Sequence, residues 1–412
     1  MNPYLVFILA VLILGYLLNL VSAILELRAL DPELPREFQG YYDEQKYAQS
    51  QLYTRTTTRF SLVQECFMLP VIIGFILAGG FNRVDLAARS FGLGSIGTGL
   101  VFTAIPALLM LLINLPFSLY STFVIEERFG FNRTTVKTYI LDTLKSILLA
   151  CCIGGPLLAL IFWFFERTGS TAWLYCWAAV SLAVLLLQFL APVVIMPLFN
   201  KFSPLEDSEL KKRILAYINT QRFNARGIYT MDGSKRSTRL NAFFTGFGRF
   251  RRIVFFDTLL DKLDPGETVA VLAHEVGHFK KKHLFKMTAA SILQTGIMFA
   301  LLSLFLDNKQ LFAAFGMEHV SVYAGLIFFG FLYAPISSLL GILFHALSRK
   351  HEFEADQWAA VTAGAEDMIS ALKKLSVHNL SNLTPHPVNV ILSYSHPPVL
   401  QRIRAIEKLS KK

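Results

Sequence analysis

The chain has 412 residues, of which 54% are hydrophobic and only 17% are charged, and its formal net charge at pH 7 is +10. A soluble protein of this length would not need the long apolar runs that this composition produces, so a soluble enzyme is disfavoured. A nucleic-acid-binding protein would carry its positive charge on one face of a soluble domain, and no nucleic acid partner is expected. We interpret the positive charge as attraction between cytosolic loops and anionic lipid headgroups.

Seven apolar stretches follow one another along the chain, each long enough to match the bilayer hydrocarbon at about 1.5 Å per helical residue. None alternates with the period of two that is typical of strands. Because lipid offers the backbone no hydrogen bonds, the stretches are predicted to be helices. The first is expected to be a retained span rather than a signal peptide, since no basic segment precedes it. The fold class is mainly α, a polytopic membrane protein with predicted spans 4–24, 61–81, 98–125, 146–165, 172–199, 287–306 and 321–346.

Lysine and arginine are unevenly distributed among the short loops, which predicts the orientation of the spans. The first and third loops hold nine of these residues and the other short loops hold four. The richer loops are expected in the cytosol, which places the N-terminus on the outer or lumenal side and the C-terminus in the cytosol. The nine are Arg28, Arg36, Lys46, Arg55, Arg59, Arg128, Arg133, Lys137 and Lys145, and the four are Arg83, Arg89, Arg167 and Lys309.

The spans divide the chain into four regions. Residues 1–199 hold five spans and residues 287–346 hold two, whereas 200–286 and 347–412 lie outside the membrane, on the cytosolic side. The first cytosolic region is predicted to begin with a helix that has Ser203 as its N-cap and a proline as its first residue.

Three β-prone runs separated by glycines follow in the same region and predict a small antiparallel sheet. These runs are "GIYTMDG", "TRLNAFFTGFG" and "RRIVFFDTL". The next segment begins with Asp264 as an N-cap, Pro265 in the first helical position and Glu267 placed for a capping box. This strong helix start places the motif "HEVGH" in the middle of a helix.

The motif "HEVGH" predicts a metal site. His274 and His278 are four residues apart, so on a helix their imidazoles share one face and can reach one Zn²⁺ ion. Glu275 lies beside the first histidine, where it can take a proton from metal-bound water. Short motifs of this kind also occur by chance, and the alternative is a helix with no metal.

A catalytic zinc ion needs a third protein ligand and one open position. His283 is disfavoured because the glycine of the longer three-histidine motif is missing. Glu352 and Asp356 lie four apart on a predicted helix, so either could ligate while the other orients a histidine. Their spacing alone fits a solvated acidic face equally well. The last two spans form an antiparallel hairpin, however, and this topology brings both helices out on the same side of the membrane.

Several further stretches resemble, in the same order, the signature stretches of the seven-span integral-membrane zinc CAAX prenyl proteases. The resemblance covers nearly the whole chain, although the loop 307–320 is shorter than in some members. The stretches are "FVIEERFGFNRTT" (123–135), "PLFNKFSPLED" (197–207), "SKRSTRLNAFFTGFG" (234–248), "RIVFFDTLL" (252–260), "RKHEFEADQWA" (349–359) and "SHPPVLQRIRAI" (395–406).

The resemblance implies a gluzincin-like metalloprotease with one Zn²⁺ ion per chain, which removes the last three residues of prenylated CAAX substrates. It implies that Glu352 is the third ligand, beside the two histidines, and that Asp356 is a partner behind the ligands. By the same resemblance the substrate backbone pairs with Asn241 and Ala242, and the membrane helices accommodate the prenyl chain, with membrane lipids as further partners. The implied catalytic residues are Glu275 as the general base, and His396 and Arg402 facing the scissile bond, where such donors can stabilise an oxyanion.

Two other functions fit some features of the sequence. A membrane quality-control protease would use the same metal motif to cut damaged or unprenylated proteins. A receptor or transporter would use the seven helices with a structural "HEVGH". The membrane is expected to be a bacterial inner membrane or the endoplasmic reticulum.

Overall fold

The structure is a computed structural model that describes residues 2–223, 225–245 and 251–410. Most of these residues are helical, and the described strands form one four-stranded sheet. The helices are α1 (Pro3–Ala29), α2 (Glu44–Leu77), α3 (Gly80–Ser90), α4 (Gly94–Tyr120), α5 (Val136–Leu149), α6 (Gly155–Arg167), α7 (Ala172–Leu190), α8 (Met196–Phe199), α9 (Glu209–Thr220), α10 (Asp257–Leu260), α11 (Pro265–Lys280), α12 (His283–Ser303), α13 (Lys309–Ala314), α14 (Val322–Ala363), α15 (Ala365–His378), α16 (Pro387–Ser393) and α17 (Val399–Ser410). The strands are β1 (Phe202–Pro204), β2 (Gly227–Met231), β3 (Ala242–Thr245) and β4 (Arg252–Phe256).

Within the described residues, seven helical segments are long and apolar enough to cross a membrane, and each overlaps one predicted span. Apolar side chains on these segments, such as Leu14, Leu148 and Leu339, are 63%, 63% and 65% exposed. Apolar surface of this extent needs a lipid environment, so the chain is a multi-pass membrane protein, as predicted. The segments are Pro3–Ala29, Glu44–Leu77, Gly94–Glu126, Val136–Arg167, Gly169–Phe199, His283–Ser303 and Val322–Ala363.

A buried carboxylate joins two helices at the N-terminal end of α14. Asp85 of α3 has no exposed surface. Its Oδ1 accepts a hydrogen bond of 2.6 Å from the Tyr323 hydroxyl, and its Oδ2 accepts one of 2.8 Å from Arg89 Nε. Both carboxylate oxygens are therefore satisfied, which buried polar groups require for stability.

The small sheet is mixed, so the predicted antiparallel sheet is only partly correct. Its order is β1-β2-β4-β3. The β1–β2 and β3–β4 pairs are antiparallel, but β2 and β4 are parallel, with Gly227 opposite Arg252 and Met231 opposite Phe256. Alternation along a strand does not encode the direction of its neighbour, and β2 is joined to β4 by a long crossover rather than by a hairpin. The end of the predicted strand run, 246–248, lies outside the described residues.

The predicted start of the first helix in residues 200–286 is also wrong. Ser203 lies in β1 opposite Thr230, and Pro204 ends that strand. An edge strand tolerates proline because its missing N–H need not pair with a neighbour. The helix α9 begins later, with the Ser208 side chain accepting a hydrogen bond from Lys211 N.

The start of α11 agrees with the sequence prediction, because Asp264 and Glu267 form the expected capping box. The middle of α11 packs closely against the C-terminal part of α14. A Cβ atom on Gly277, within "HEVGH", would lie 3.0 Å from Trp358 Cβ and 3.1 Å from Ala355 Cα. The glycine therefore allows a close approach of the two helices. No break marks the predicted boundary at 346/347, since α14 runs through it.

Candidate metal centre and active site

Two packed helices supply three groups that converge on one point. His274 and His278 lie one turn apart on α11, and Glu352 faces them from α14. The two histidine Nε2 atoms are 3.1 Å apart. The Glu352 carboxylate lies 3.2 Å from His278 Nε2 through Oε1 and 3.5 Å from His274 Nε2 through Oε2. One potential ligand atom from each residue lies within 4.8 Å of the other two.

These donor atoms fit a metal ion. Two imidazole nitrogens and one carboxylate are a common ligand set of catalytic zinc sites, which keep a further position open. Glu352 Oε2 is buried and has no hydrogen-bond partner among the described residues, and such an unpaired atom is costly in a protein interior. A cation between the three groups would satisfy this oxygen and both nitrogen lone pairs.

Asp356 and Arg402 orient His274 from the Nδ1 side of its ring, opposite the metal position. His274 Nδ1 donates to Asp356 Oδ1 at 2.9 Å, which leaves the Nε2 lone pair directed at the metal position. Arg402 of α17 donates to both oxygens of Asp356, from Nε at 2.7 Å and from Nη2 at 2.6 Å. Spacing alone could not separate Glu352 from Asp356. In the structure they lie on opposite sides of the same imidazole.

Neighbouring carboxylates change the pKa of His274. Burial lowers the pKa of His274, but the neighbouring carboxylates of Asp356 and Glu352 outweigh burial and raise the pKa to about 9. At neutral pH the metal-free site therefore favours a protonated His274. A metal ion must displace that proton when it binds.

A second pair, His283 and Glu354, holds His278. His283 Nδ1 is 3.0 Å from His278 Nδ1, and its Nε2 is 3.0 Å from Glu354 Oε2. The His283 ring also stacks on His351, with 3.9 Å between ring centroids. Donation from His278 to His283, and from His283 to Glu354, leaves His278 Nε2 free to bind a metal. The sequence disfavours His283 as a metal ligand and does not point to Glu354. The one signal for His283 is that it is a third histidine, five residues after "HEVGH".

Glu275 lies between the two histidines in sequence and faces the sheet. Its carboxylate accepts a hydrogen bond from the backbone of Phe244 on β3. Burial raises the pKa of Glu275, and attraction by His274 and His278 offsets some of this rise. A carboxylate with a raised pKa is better matched to taking up and returning a proton near neutral pH.

A cavity of about 690 Å³ opens beside the three convergent groups. His396 Nε2 lies 3.4 Å from Glu352 Oε1, and Arg402 Nη1 lies 3.5 Å from Glu352 Oε2. Each of the residues predicted from sequence therefore either lines the cavity or contacts a residue that does. The predicted residues in the lining are Asn241, Ala242, His274, Glu275, Glu352, His396 and Arg402.

Two protein-family models match the chain and together cover most of it. Residues 23–201 match the model described as the CAAX prenyl protease N-terminal region with five membrane helices. Residues 204–410 match the model of peptidase family M48. The boundary between the two matches falls at the end of the fifth predicted span.

Individual relatives agree with the family models. The chain is 32% identical to CAAX prenyl protease 1 of Saccharomyces cerevisiae, over 93% of this chain and 90% of the relative. It is 33% identical to the Arabidopsis thaliana homologue of that protease, over 100% of this chain and 99% of the relative. The crystal structure of S. mikatae Ste24p matches with a TM-score of 0.95 at 31% identity, covering 99% of this chain and 100% of that one. The comparisons therefore do not favour a receptor or transporter or a quality-control protease, and the chain belongs to peptidase family M48, in the CAAX prenyl protease branch of membrane metalloendopeptidases.

Proposed function

We propose that the chain is a zinc endopeptidase that removes the last three residues of prenylated CAAX proteins at the cytosolic surface of a membrane. The proposal rests on the convergence of His274, His278 and Glu352 around a carboxylate oxygen with no hydrogen-bond partner among the described residues, beside a cavity. The names of the relatives supply the substrate class.

His274, His278 and Glu352 would hold one zinc ion, with Asp356 and His283 fixing the two imidazole rings. Bound zinc acts as a Lewis acid, which lowers the pKa of a water molecule and polarises the scissile carbonyl. Glu275 would take the proton from that water and pass it to the leaving amine, because its carboxylate lies beside the first ligand.

His396 and Arg402 would stabilise the negative charge that develops on the scissile carbonyl oxygen. The Nε and Nη2 atoms of Arg402 donate to Asp356, so Nη1, which lies 3.5 Å from Glu352 Oε2, is the donor proposed for this role. His396 Nε2 approaches from the neighbouring side of Glu352.

The substrate would lie as an extended chain along the open edge of β3, where the backbone of Ala242 would pair with it and the side chain of Asn241 would lie beside it. The prenyl chain would lie among the membrane helices and lipids. The charges of the loops support a cytosolic location for residues 200–286 and 347–412, at an endoplasmic reticulum membrane or a bacterial inner membrane.

Cleavage of a farnesylated CAAX peptide by the detergent-purified chain tests this function. We expect cleavage after the farnesylated cysteine, loss of cleavage with a zinc chelator and recovery with added zinc. The same peptide without the farnesyl group is the matched control and should be cleaved more slowly. Equal cleavage of both peptides would contradict the prenylated substrate class, and no cleavage by the zinc-loaded protein would contradict the proposed function.

A further inference from the structure

The open edge of β3 faces the candidate active site. Phe256 N donates to Asn241 O at 3.0 Å, so Asn241 directs its backbone toward β4. In an antiparallel ladder alternate residues direct their backbone groups to opposite sides. Leu240, Ala242 and Phe244 therefore direct theirs to the open edge, and Phe244 uses its backbone to donate to Glu275.

At Leu240, a side chain from another segment occupies the open edge of β3. The side chain of Asn379 accepts a hydrogen bond from Leu240 N at 2.9 Å and donates one to Leu240 O at 3.2 Å. Asn379 thus occupies the place that a paired peptide would take. An extended substrate that pairs with Ala242 cannot continue its pairing past this point, so the groove has a closed end there.

Arg239 lies next to the closed end and lines the same cavity as the active-site residues. Its Nη2 donates to both oxygens of Glu126, at 3.2 Å and 3.0 Å, and to the Tyr53 hydroxyl. Its guanidinium stacks on Phe131, with 4.2 Å to the ring centroid. The side chain is held in place yet remains 38% exposed. The side-chain hydrogen bonds that the structure describes for Arg239 all use Nη2, which leaves Nε and Nη1 as donors for a ligand.

More positive charge lies near the closed end. Burial lowers the pKa of His378, the neighbour of Asn379, and repulsion by Lys46, Lys262 and Lys374 lowers it further. Lys374 is paired with Asp264 and Glu267, and Arg239 is paired with Glu126. Lys46 and Lys262 therefore contribute the remaining positive charge, which favours an anion at the closed end.

The distance from Ala242 to Arg239 suits a short leaving segment. Three extended residues span about 10 Å, and the three steps from Ala242 back to Arg239 span about the same. If the scissile bond lies beside Ala242, the third residue after it ends near Arg239. The substrate would then run antiparallel to β3.

We propose that Arg239 binds the free α-carboxylate of the substrate's last residue, while Asn379 closes the groove so that only a short segment fits beyond the scissile bond. This inference rests on the proposed function. Guanidinium and carboxylate groups form strong charge-assisted hydrogen bonds with defined geometry. The site therefore selects substrates whose chain ends three residues after the prenylated cysteine.

Two farnesylated peptides that differ only at their end test the proposal. One ends in a free carboxylate and the other in a carboxamide, and kcat/KM is measured for each with the zinc-loaded full chain. We expect the carboxylate peptide to be preferred about tenfold or more, mainly through KM, since the contact is made before the chemical step. Equal kcat/KM values would overturn the inference and leave the proposed function standing. Cleavage of neither peptide would overturn the proposed function, and the inference with it.

Variants of Arg239 test whether this residue causes the preference for a free carboxylate. Arg239→Gln should lower kcat/KM for the carboxylate peptide about tenfold and bring the ratio of the two peptides close to one, and Arg239→Lys should keep some of the preference. Lys235→Gln removes one charge from an exposed position of the same segment outside the cavity lining and is the matched control. It should keep the wild-type ratio. An equal loss on both peptides in Arg239→Gln would show a purely structural role and overturn the inference.

Discussion

Two buried carboxylates at opposite ends of α14 have opposite hydrogen-bonding states. Asp85 contacts the start of the helix through Tyr323, and both of its oxygens accept hydrogen bonds. Glu352 lies 29 residues after Tyr323, about 43 Å along the helix. It is as deeply buried, at 4% exposed, yet its Oε2 has no hydrogen-bond partner among the described residues and lies 3.5 Å from His274 Nε2.

The difference separates a structural carboxylate from a ligand. A buried polar group contributes to stability when all its hydrogen bonds are made. Glu352 Oε2 has only ion-pair contacts of 3.5 Å with His274 and Arg402 and no hydrogen-bond partner among the described residues, so a cation bound beside it would stabilise the site. We therefore expect substitutions near Glu352 to change metal binding and catalysis, and substitutions near Asp85 to change the free energy of unfolding.

The largest expected effect is on catalysis, at Glu275. Glu275→Gln removes the proposed general base and should lower kcat about 10³-fold, within the range typical of such a loss. Bound zinc should be unchanged, because Glu275 is not one of the three convergent groups. Steady-state kinetics checks the rate and metal analysis checks the zinc content. A variant within tenfold of wild-type kcat would remove Glu275 from the mechanism.

A smaller effect, on the affinity for zinc, is expected from substitutions of His283 and Glu354, which orient His278. Loss of a hydrogen-bond partner behind a metal ligand commonly weakens metal binding about 10–100-fold. His283→Phe, which keeps a ring to stack on His351, and Glu354→Gln should each raise the zinc Kd by this factor, measured by competition with a chelator. An unchanged Kd in both variants would show that the pair serves packing alone.

Metal binding should also depend on pH, through His274. Because the pKa of His274 is raised to about 9, the proton competes with the metal below that pH. Displacing one proton per ion weakens apparent affinity about tenfold for each unit of falling pH, or about 100-fold between pH 8 and pH 6. Asp356→Asn should flatten this dependence, because Asp356 is the first of the groups that raise the pKa. A zinc Kd independent of pH over this range would contradict the assignment.

The smallest effect on function is expected at Asp85. Asp85→Asn should lower the free energy of unfolding by about 1–3 kcal/mol, because it disturbs a buried hydrogen-bonded group. It should leave kcat and zinc Kd unchanged. Thermal unfolding in detergent, measured beside the kinetics, checks this. Loss of zinc from this variant would mean that the two ends of α14 are coupled.

The sequence predicts the features of this molecule that depend on local patterns. The lengths of seven apolar stretches predict the spans, and the capping box at Asp264 and Glu267 predicts the start of α11. The pairing of β2 with β4 depends on contacts between distant segments, which no local pattern encodes. For the same reason the pattern at Ser203 predicts a helix cap where the structure has a strand.

The candidate site shows the same limit. The spacing of His274 and His278 predicts that they share a helical face. A third ligand on the helix after the last span is predicted only from the antiparallel hairpin that the last two spans form. Glu352 and Asp356 share a face of α14, so only the packed structure shows which one meets the Nε2 atoms. Glu354 lies 71 residues after His283 in sequence, and its contact with that ring arises from the packing of α14 against the start of α12.

The most direct test of the central claim is the zinc content of the purified chain after dialysis against a chelator of moderate strength. Wild type and Asp85→Asn should each retain one zinc ion per chain, whereas folded Glu352→Gln should lose it, because a neutral amide is a poor ligand for zinc. One tightly bound zinc ion in Glu352→Gln, held as firmly as in wild type, would contradict the assignment of Glu352 and the contrast with Asp85.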